Sequence, residues 1–185
     1  AGYDEAACGD ESGGFIMKVT IRKANPVDLD LLLQWRMEVI REVFSIPKNQ
    51  PTDRLKEENR CYYEKALASG RHIACFACVD DQIAGCGGMC LYQEMPSPDN
   101  PTGECAYFMN IYTRPQFRKQ GVGETVVKWL TKQAVQRGIT KIFLETSEAG
   151  KSLYQKTGFV PMQDMMKLPE TRTAPRRPET SPWPQ

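Results

Sequence analysis

Six consecutive residues, Arg118-Lys119-Gln120-Gly121-Val122-Gly123, have the composition of a phosphate cradle. They stand between an apolar, β-patterned run (106–113) and a run with helical periodicity (124–137). A helix start leaves backbone N–H groups without intrahelical partners, and the positive end of the helix dipole lies there. Both features favour an anion. Gly121 and Gly123 carry no side chain, so a pyrophosphate can approach the main chain closely. Arg118 and Lys119 add positive charge at the mouth. An ordinary turn with two glycines is the competing reading, but strand-loop-helix is the context a phosphate loop needs.

Other residues with chemical potential are more ambiguous. Cys75-x-x-Cys78 and Cys86-x-x-x-Cys90 have zinc-like spacing. All four lie in apolar runs that read as adjacent strands, where cysteine packs as a small hydrophobe. Cys75 and Cys78 would point to opposite faces of a strand, so no metal is expected. His72, the only histidine, sits at a strand start, where a structural role is expected. Glu38 and Glu42 are four apart on one predicted helical face and could jointly attract a cationic amine. The alternative is a pair of solvated charges.

The elements that must position these residues follow from periodicity and punctuation. A strand begins at Met17, and Asn25-Pro26 opens a helix whose apolar stripe runs from Leu29 to Val43. A second helix spans about 52–69 and closes at Gly70. Strands follow at 72–79 and 82–92, joined by Asp80-Asp81, then a stiff loop (94–101) and a fourth strand (103–113). The third helix stops near Gly138. A short buried strand (141–146), a helix (150–157) and a last strand from Phe159 complete the pattern. Residues 1–16 read as a disordered extension, 17–168 as one domain and 169–185 as a Pro-rich tail.

Composition narrows the function classes. In 185 residues, Lys+Arg 24 against Asp+Glu 23 gives a net charge of +1, which offers no support for general nucleic-acid affinity. No run approaches the ~18 apolar residues of a membrane span, and no secretory signal is visible. The odd count of 7 cysteines fits a reducing cytosol, so a cytoplasmic location is expected.

The element order, with Arg118-Lys119-Gln120-Gly121-Val122-Gly123 between the fourth strand and the third helix, resembles the GNAT family of acetyl-CoA-dependent N-acyltransferases. Leu153-Tyr154-Gln155-Lys156-Thr157-Gly158-Phe159-Val160 is similar to the family segment that leads into its late strands. The resemblance implies an α+β (three-layer α/β) domain whose mixed, mostly antiparallel sheet has six to seven strands and about four flanking helices. It implies acetyl-CoA as co-substrate, with no metal. The phosphate loop would comprise Arg118, Lys119, Gln120, Gly121, Val122 and Gly123, followed by Glu124 and Thr125 on the first helical turn. An acidic Glu124 suits phosphate only if it points outward.

In the family, the fourth strand splays from the fifth at a bulge, and the pantetheine arm bonds to its main chain. Here that implies Ile111 and Thr113, with Met109 and Asn110 near the thioester. Ser147 stands where many relatives place a cofactor-contacting asparagine. Tyr154 matches the tyrosine that protonates the departing thiolate. For the base, the position where some relatives hold a carboxylate reads Tyr107. Glu104 lies three residues earlier, on the other face unless a bulge intervenes, and Glu94 and Glu145 are further candidates. The acceptor would approach over Trp35, Arg36, Glu38, Glu42, residues 44–47 and residues 92–101. The implied activity is acetyl transfer to a primary amine, expected to be a small molecule, by direct attack on the thioester. The alternatives are a protein N-terminus or lysine as acceptor, and a non-catalytic acetyl-CoA sensor. A homodimer is compatible with the resemblance.

Overall fold

The computed structural model describes residues 18–163 and 165–168. One sheet of five strands has the spatial order β1 (Val19–Lys23), β2 (His72–Val79), β3 (Gln82–Gln93), β4 (Glu104–Thr113), β5 (Lys141–Leu144). The first four strands are antiparallel neighbours, and β5 runs parallel to β4. Helices α1 (Leu29–Val43) and α2 (Asp53–Ala68) share one core with Ala74, Phe76, Cys86 and Tyr112. Helix α3 (Val122–Val135) shares the other core with Ile73, Cys75, Met89 and Phe108, and α4 (Lys151–Lys156) packs against it. Alternation along β2 explains the split, since successive residues face opposite layers.

The stripe on α1 buries Leu32, Leu33, Trp35, Val39 and Ile40. Trp35 makes edge contacts with Phe76 and Tyr112, each at 6.3 Å between centroids. It is 2% exposed and belongs to the core, which corrects its expected place in an acceptor pocket. On the other face, β3 is stripped of side chains where α3 crosses it. A Cβ on Gly87 would overlap Val126, and one on Gly85 would stand 2.6 Å from the Tyr112 carbonyl oxygen.

Two irregularities in β4 shape the middle of the sheet. It pairs with β5 only from Cys105 to Phe108, against Lys141 to Leu144. Beyond Phe108 the β5-facing edge of β4 has no strand beside it among the described residues. On the β3 side the register shifts between Cys86 and Gly88, where Asn110 takes a φ of 58°. A bulge of this kind bends the strand that carries it, and here the bend accompanies the divergence from β5.

The strand expected from Phe159 does not form. The described residues contain five strands in place of six or seven. Phe159 still packs against the core, but Pro161 follows it closely and has no N–H to give to a ladder. Val160, Met162, Met165, Met166 and Leu168 are exposed. Met17, the N-terminal extension and the Pro-rich tail lie outside the described residues.

Candidate active site

β4 ends at Thr113, and a short turn (Pro115–Phe117) leads to a loop in which Lys119 has φ 62° and Gly121 φ 79°. The helix then begins, and the Thr125 N–H and hydroxyl both donate to the Gly121 carbonyl, at 2.9 and 3.0 Å. The first-turn amides of Val122, Gly123 and Glu124 have no intrahelical acceptor. The two glycines do different jobs. A Cβ on Gly121 would meet nothing within 4 Å, so this residue supplies left-handed backbone beside open space. A Cβ on Gly123 would stand 3.2 Å from Leu153 and 3.7 Å from the Thr113 hydroxyl. Gly123 thus lets the end of β4, the start of α3 and the helix carrying Tyr154 converge. Glu124 pairs with Lys128 at 2.7 Å, which draws its carboxylate toward the next turn of α3.

The basic side chains of the loop are arranged differently from expectation. Arg118 donates from Nε to the Thr113 carbonyl at 3.1 Å and from Nη2 to Glu42 at 2.5 Å. Arg114 makes a two-pronged contact with Glu38, at 2.9 and 2.8 Å, and lies 4.0 Å from the Trp35 ring centroid. Tyr112 adds a hydroxyl bond to Glu42. That bond, then Arg118, holds the Glu42 carboxyl below its usual range against the opposing effect of burial. Two expectations are corrected here. Glu38 and Glu42 are neutralised and do not form an anionic trap for an amine. The Arg118 charge faces α1, leaving only its main chain for the cradle. The physical reason is a matched spacing: two carboxylates four apart on α1 meet two guanidiniums four apart on the β4–α3 turn. Lys119 is exposed, and among the described residues it has no ion-pair partner. Gln120 donates to the Gln116 carbonyl at 3.1 Å, while its own Oε1 is buried without a partner.

Tyr154 is half-buried on α4, with an edge contact to Phe159 at 6.0 Å. Burial pushes its phenol up, so it stays protonated at neutral pH. It lines a cavity of about 670 Å³ walled by Ile142, Phe143 and Leu144 of β5, Thr131 of α3 and the chain after α4. That cavity does not include the Arg118–Gly123 loop, Ile111 or Thr113. Ile111 packs onto the α3-side core. Ser147 is exposed just ahead of the turn Glu148–Gly150.

Two of the carboxylates considered as bases, Glu104 and Glu94, are committed to cations. Glu104 pairs with Arg71 at 3.1 Å at the start of β4. Six residues of strand separate it from Asn110, or roughly 20 Å at ~3.3 Å per residue, which corrects its catalytic assignment. Glu94 is held by Lys141 at 2.8 Å and by Asn100 at 3.0 Å. Lys141, then Asn100, keeps its carboxyl below the usual range, which makes it a weak proton acceptor. Glu145 is exposed. Tyr107 lies 5.2 Å from Phe143, and burial raises its phenol.

Sequence reasoning missed a polar cluster on the opposite side of the bulge. Arg36 donates from Nε to Asn59 at 3.1 Å and from Nη1 to Asn110 at 3.0 Å. Nearby, His72 Nδ1 and the Tyr62 hydroxyl share a bond of 3.0 Å. His72 is 4% exposed, and its Nε2 is buried without a partner. Burial, then the Arg36 charge, lowers its pKa to about 4, so the ring is neutral at pH 7. A Cβ on Gly88, which pairs with Met109, would stand 2.7 Å from that nitrogen. Arg36 was legible as a residue of α1, but its partners lie 23 and 74 residues away. Cys75 and Cys86 belong to opposite cores, and burial pushes both thiols up, Cys86 to about 12. Among the described residues no group of three or more His, Cys, Asp or Glu is placed to hold a metal.

Comparison with known proteins gives a family. The model of the acetyltransferase (GNAT) family matches residues 36–159. No curated protein matches. A solved structure of a predicted acetyltransferase with acetyl-CoA, from Clostridium acetobutylicum, is similar over 81% of this chain and 95% of its own, at 27% identity and a TM-score of 0.72. A GCN5-related N-acetyltransferase from Ralstonia eutropha JMP134 is 22% identical over 81% of this chain and 97% of its own, with a TM-score of 0.68. An aminoglycoside acetyltransferase from an uncultured soil metagenomic sample is 15% identical over 83% of this chain and 95% of its own, with a TM-score of 0.64. The last two likenesses are of fold alone.

Proposed function

This chain belongs to the acetyltransferase (GNAT) family, and from that premise we propose that it moves the acetyl group of acetyl-CoA to a primary amine on a small molecule. The observation that carries the reading is the departure of β4 from β5 after Phe108, on a strand that ends in the glycine loop. A slot bounded by strand edge and helix start suits a cofactor that is thin at one end and doubly phosphorylated at the other. The pyrophosphate would accept bonds from the Gly121–Glu124 amides. The pantetheine arm would lie along Met109–Thr113 as an added strand. A main-chain N–H at the bulge would polarise the thioester carbonyl and stabilise the oxyanion.

The neutral amine then attacks the carbonyl carbon. The C–N bond forms, the C–S bond breaks, and Tyr154 gives its proton to the departing sulfur. The amine proton leaves to solvent, since Glu104 and Glu94 are held by Arg71 and Lys141, and solvent returns a proton to Tyr154. Arg36, Asn59 and Asn110 form a half-buried polar floor beside it, which suits a small acceptor better than a polypeptide. Calorimetry with acetyl-CoA, beside thiol release over a panel of amines, tests the proposal. Binding together with acceptor-dependent thiol release is expected. Binding without release on any amine would overturn the transfer reading in favour of a sensor.

A further inference from the structure

Resting on that transfer reading, we infer that Arg36 binds an oxyanion carried by the acceptor, so the preferred acceptor is an amine that also bears a carboxylate or phosphoryl group. The case begins with how arginines are partnered in this molecule. Arg22, Arg60, Arg71, Arg114 and Arg118 each hold a carboxylate: Asp28, Asp30, Glu104, Glu38 and Glu42 respectively. Arg41 is used by the α1–α2 loop, where Pro47 and Gln50 offer carbonyls and Thr52 a hydroxyl. Arg36 differs. It is half-buried, its two bonds end on neutral amide oxygens, and no carboxylate lies within 4.0 Å of it among the described residues.

A guanidinium has five N–H donors in a rigid fork, and two are used here. The fork is also held in place. Asn59 is anchored through its own amide N–H to the Leu55 carbonyl at 2.8 Å, and Asn110 contacts Cys86 Sγ at 3.8 Å from a left-handed backbone. A pre-set cation with spare donors matches a two-oxygen anion, which it can grip with parallel bonds. The carboxylates on the same helix do not offset its charge, because Glu38 and Glu42 face Arg114 and Arg118. Burial, then the Arg36 charge, keeps the neighbouring His72 ring neutral, so it adds no second cation beside the fork.

The position fits the chemistry. Asn110 is the bulge residue, so the guanidinium stands one hydrogen bond from the strand position where the thioester carbonyl would be polarised. An attacking nitrogen must come within ~3–3.5 Å of that carbon. A carboxylate or phosphoryl group two or three bonds from the nitrogen then falls within reach of Arg36.

The test uses matched amines with the full chain: phenylalanine against phenylalaninamide, phosphoethanolamine against ethanolamine, and spermidine as a cationic comparator. Binding to the CoA-loaded protein is read by ligand-observed NMR, and turnover by thiol release. The anionic member of one pair should be favoured at least tenfold in Kd or kcat/KM, and the pair that responds names the anion. Arg36→Gln should erase that ratio and Arg36→Lys should keep part of it. The wild-type comparison stands even where a variant folds poorly. Equal handling within both pairs, preference for spermidine, or no binding of any member overturns the inference. Normal acetyl-CoA binding alongside any of these leaves the cofactor site standing, whereas loss of acetyl-CoA binding sinks the transfer reading itself.

Discussion

Replacing Gly121 by alanine separates what the loop does for the fold from what it does for the cofactor. Gly121 and Gly138 have nearly the same left-handed backbone, φ 79° and 73°, and a Cβ on either would meet nothing within 4 Å. Neither substitution creates a clash, so each carries only the cost of holding alanine in that region, about 1–2 kcal/mol. For a chain of this length about 1 kcal/mol lowers Tm by ~2–4 °C. Both variants should therefore melt a few degrees early and by similar amounts. Their cofactor behaviour should differ. Gly138 lies past the far end of α3, while the Cβ of Gly121→Ala would project into the space where a pyrophosphate meets the amides. Loss of one charge-assisted bond, about 1.5–3 kcal/mol, weakens acetyl-CoA binding by at least about tenfold. Calorimetry on both variants decides the matter. Gly121→Ala with wild-type affinity, or Gly138→Ala weakened to the same degree, would refute the phosphate-loop assignment.

Tyr154→Phe should lower turnover by about 10²-fold or more, the usual range for a positioned general acid, with acetyl-CoA affinity unchanged by calorimetry. Unchanged turnover at saturation would remove the phenol from the mechanism. Gly88→Ala drives a methyl to within 2.7 Å of His72 Nε2 and should cost about 1–3 kcal/mol. A His72→Ala background should relieve much of this, and a double-mutant cycle showing no coupling would contradict the packing described. The pKa of His72 is lowered from 6.5 to about 4. Between those values the unfolded chain takes up a proton that the folded chain refuses, so stability falls as pH drops through that window. The loss approaches roughly 3 kcal/mol. His72→Gln should flatten urea-derived stability between pH 7 and 5, and an unaltered slope would place the titration elsewhere.

The regular elements were legible because their signals are local. The stripe from Leu29 to Val43, the Asp80-Asp81 turn and Gly138 after α3 mark boundaries within two or three residues of those observed. The start of α1 was blurred, since Pro26–Asp28 forms a tighter turn before the helix proper. Phe159 carries an apolar strand signal that Pro161, two residues on, overrides. The site was less legible, because its side chains are matched across long sequence separations. Glu38 and Arg114 are 76 residues apart, as are Glu42 and Arg118. From sequence, each acid looked free to meet substrate, and Arg118 looked free to meet phosphate. The distance of Glu104 from the bulge is fixed by register, and Arg71 sits beside it, neither of which a local sequence signal carries.

The parting of β4 and β5 separates two kinds of evolutionary freedom. On the proposed reading, the donor lies against peptide edges, which most substitutions leave chemically unaltered. The acceptor meets side chains from α1, α2 and the kinked residue Asn110, and each of these can be exchanged singly. A lineage built this way can wander among acceptors without relearning how to hold its donor.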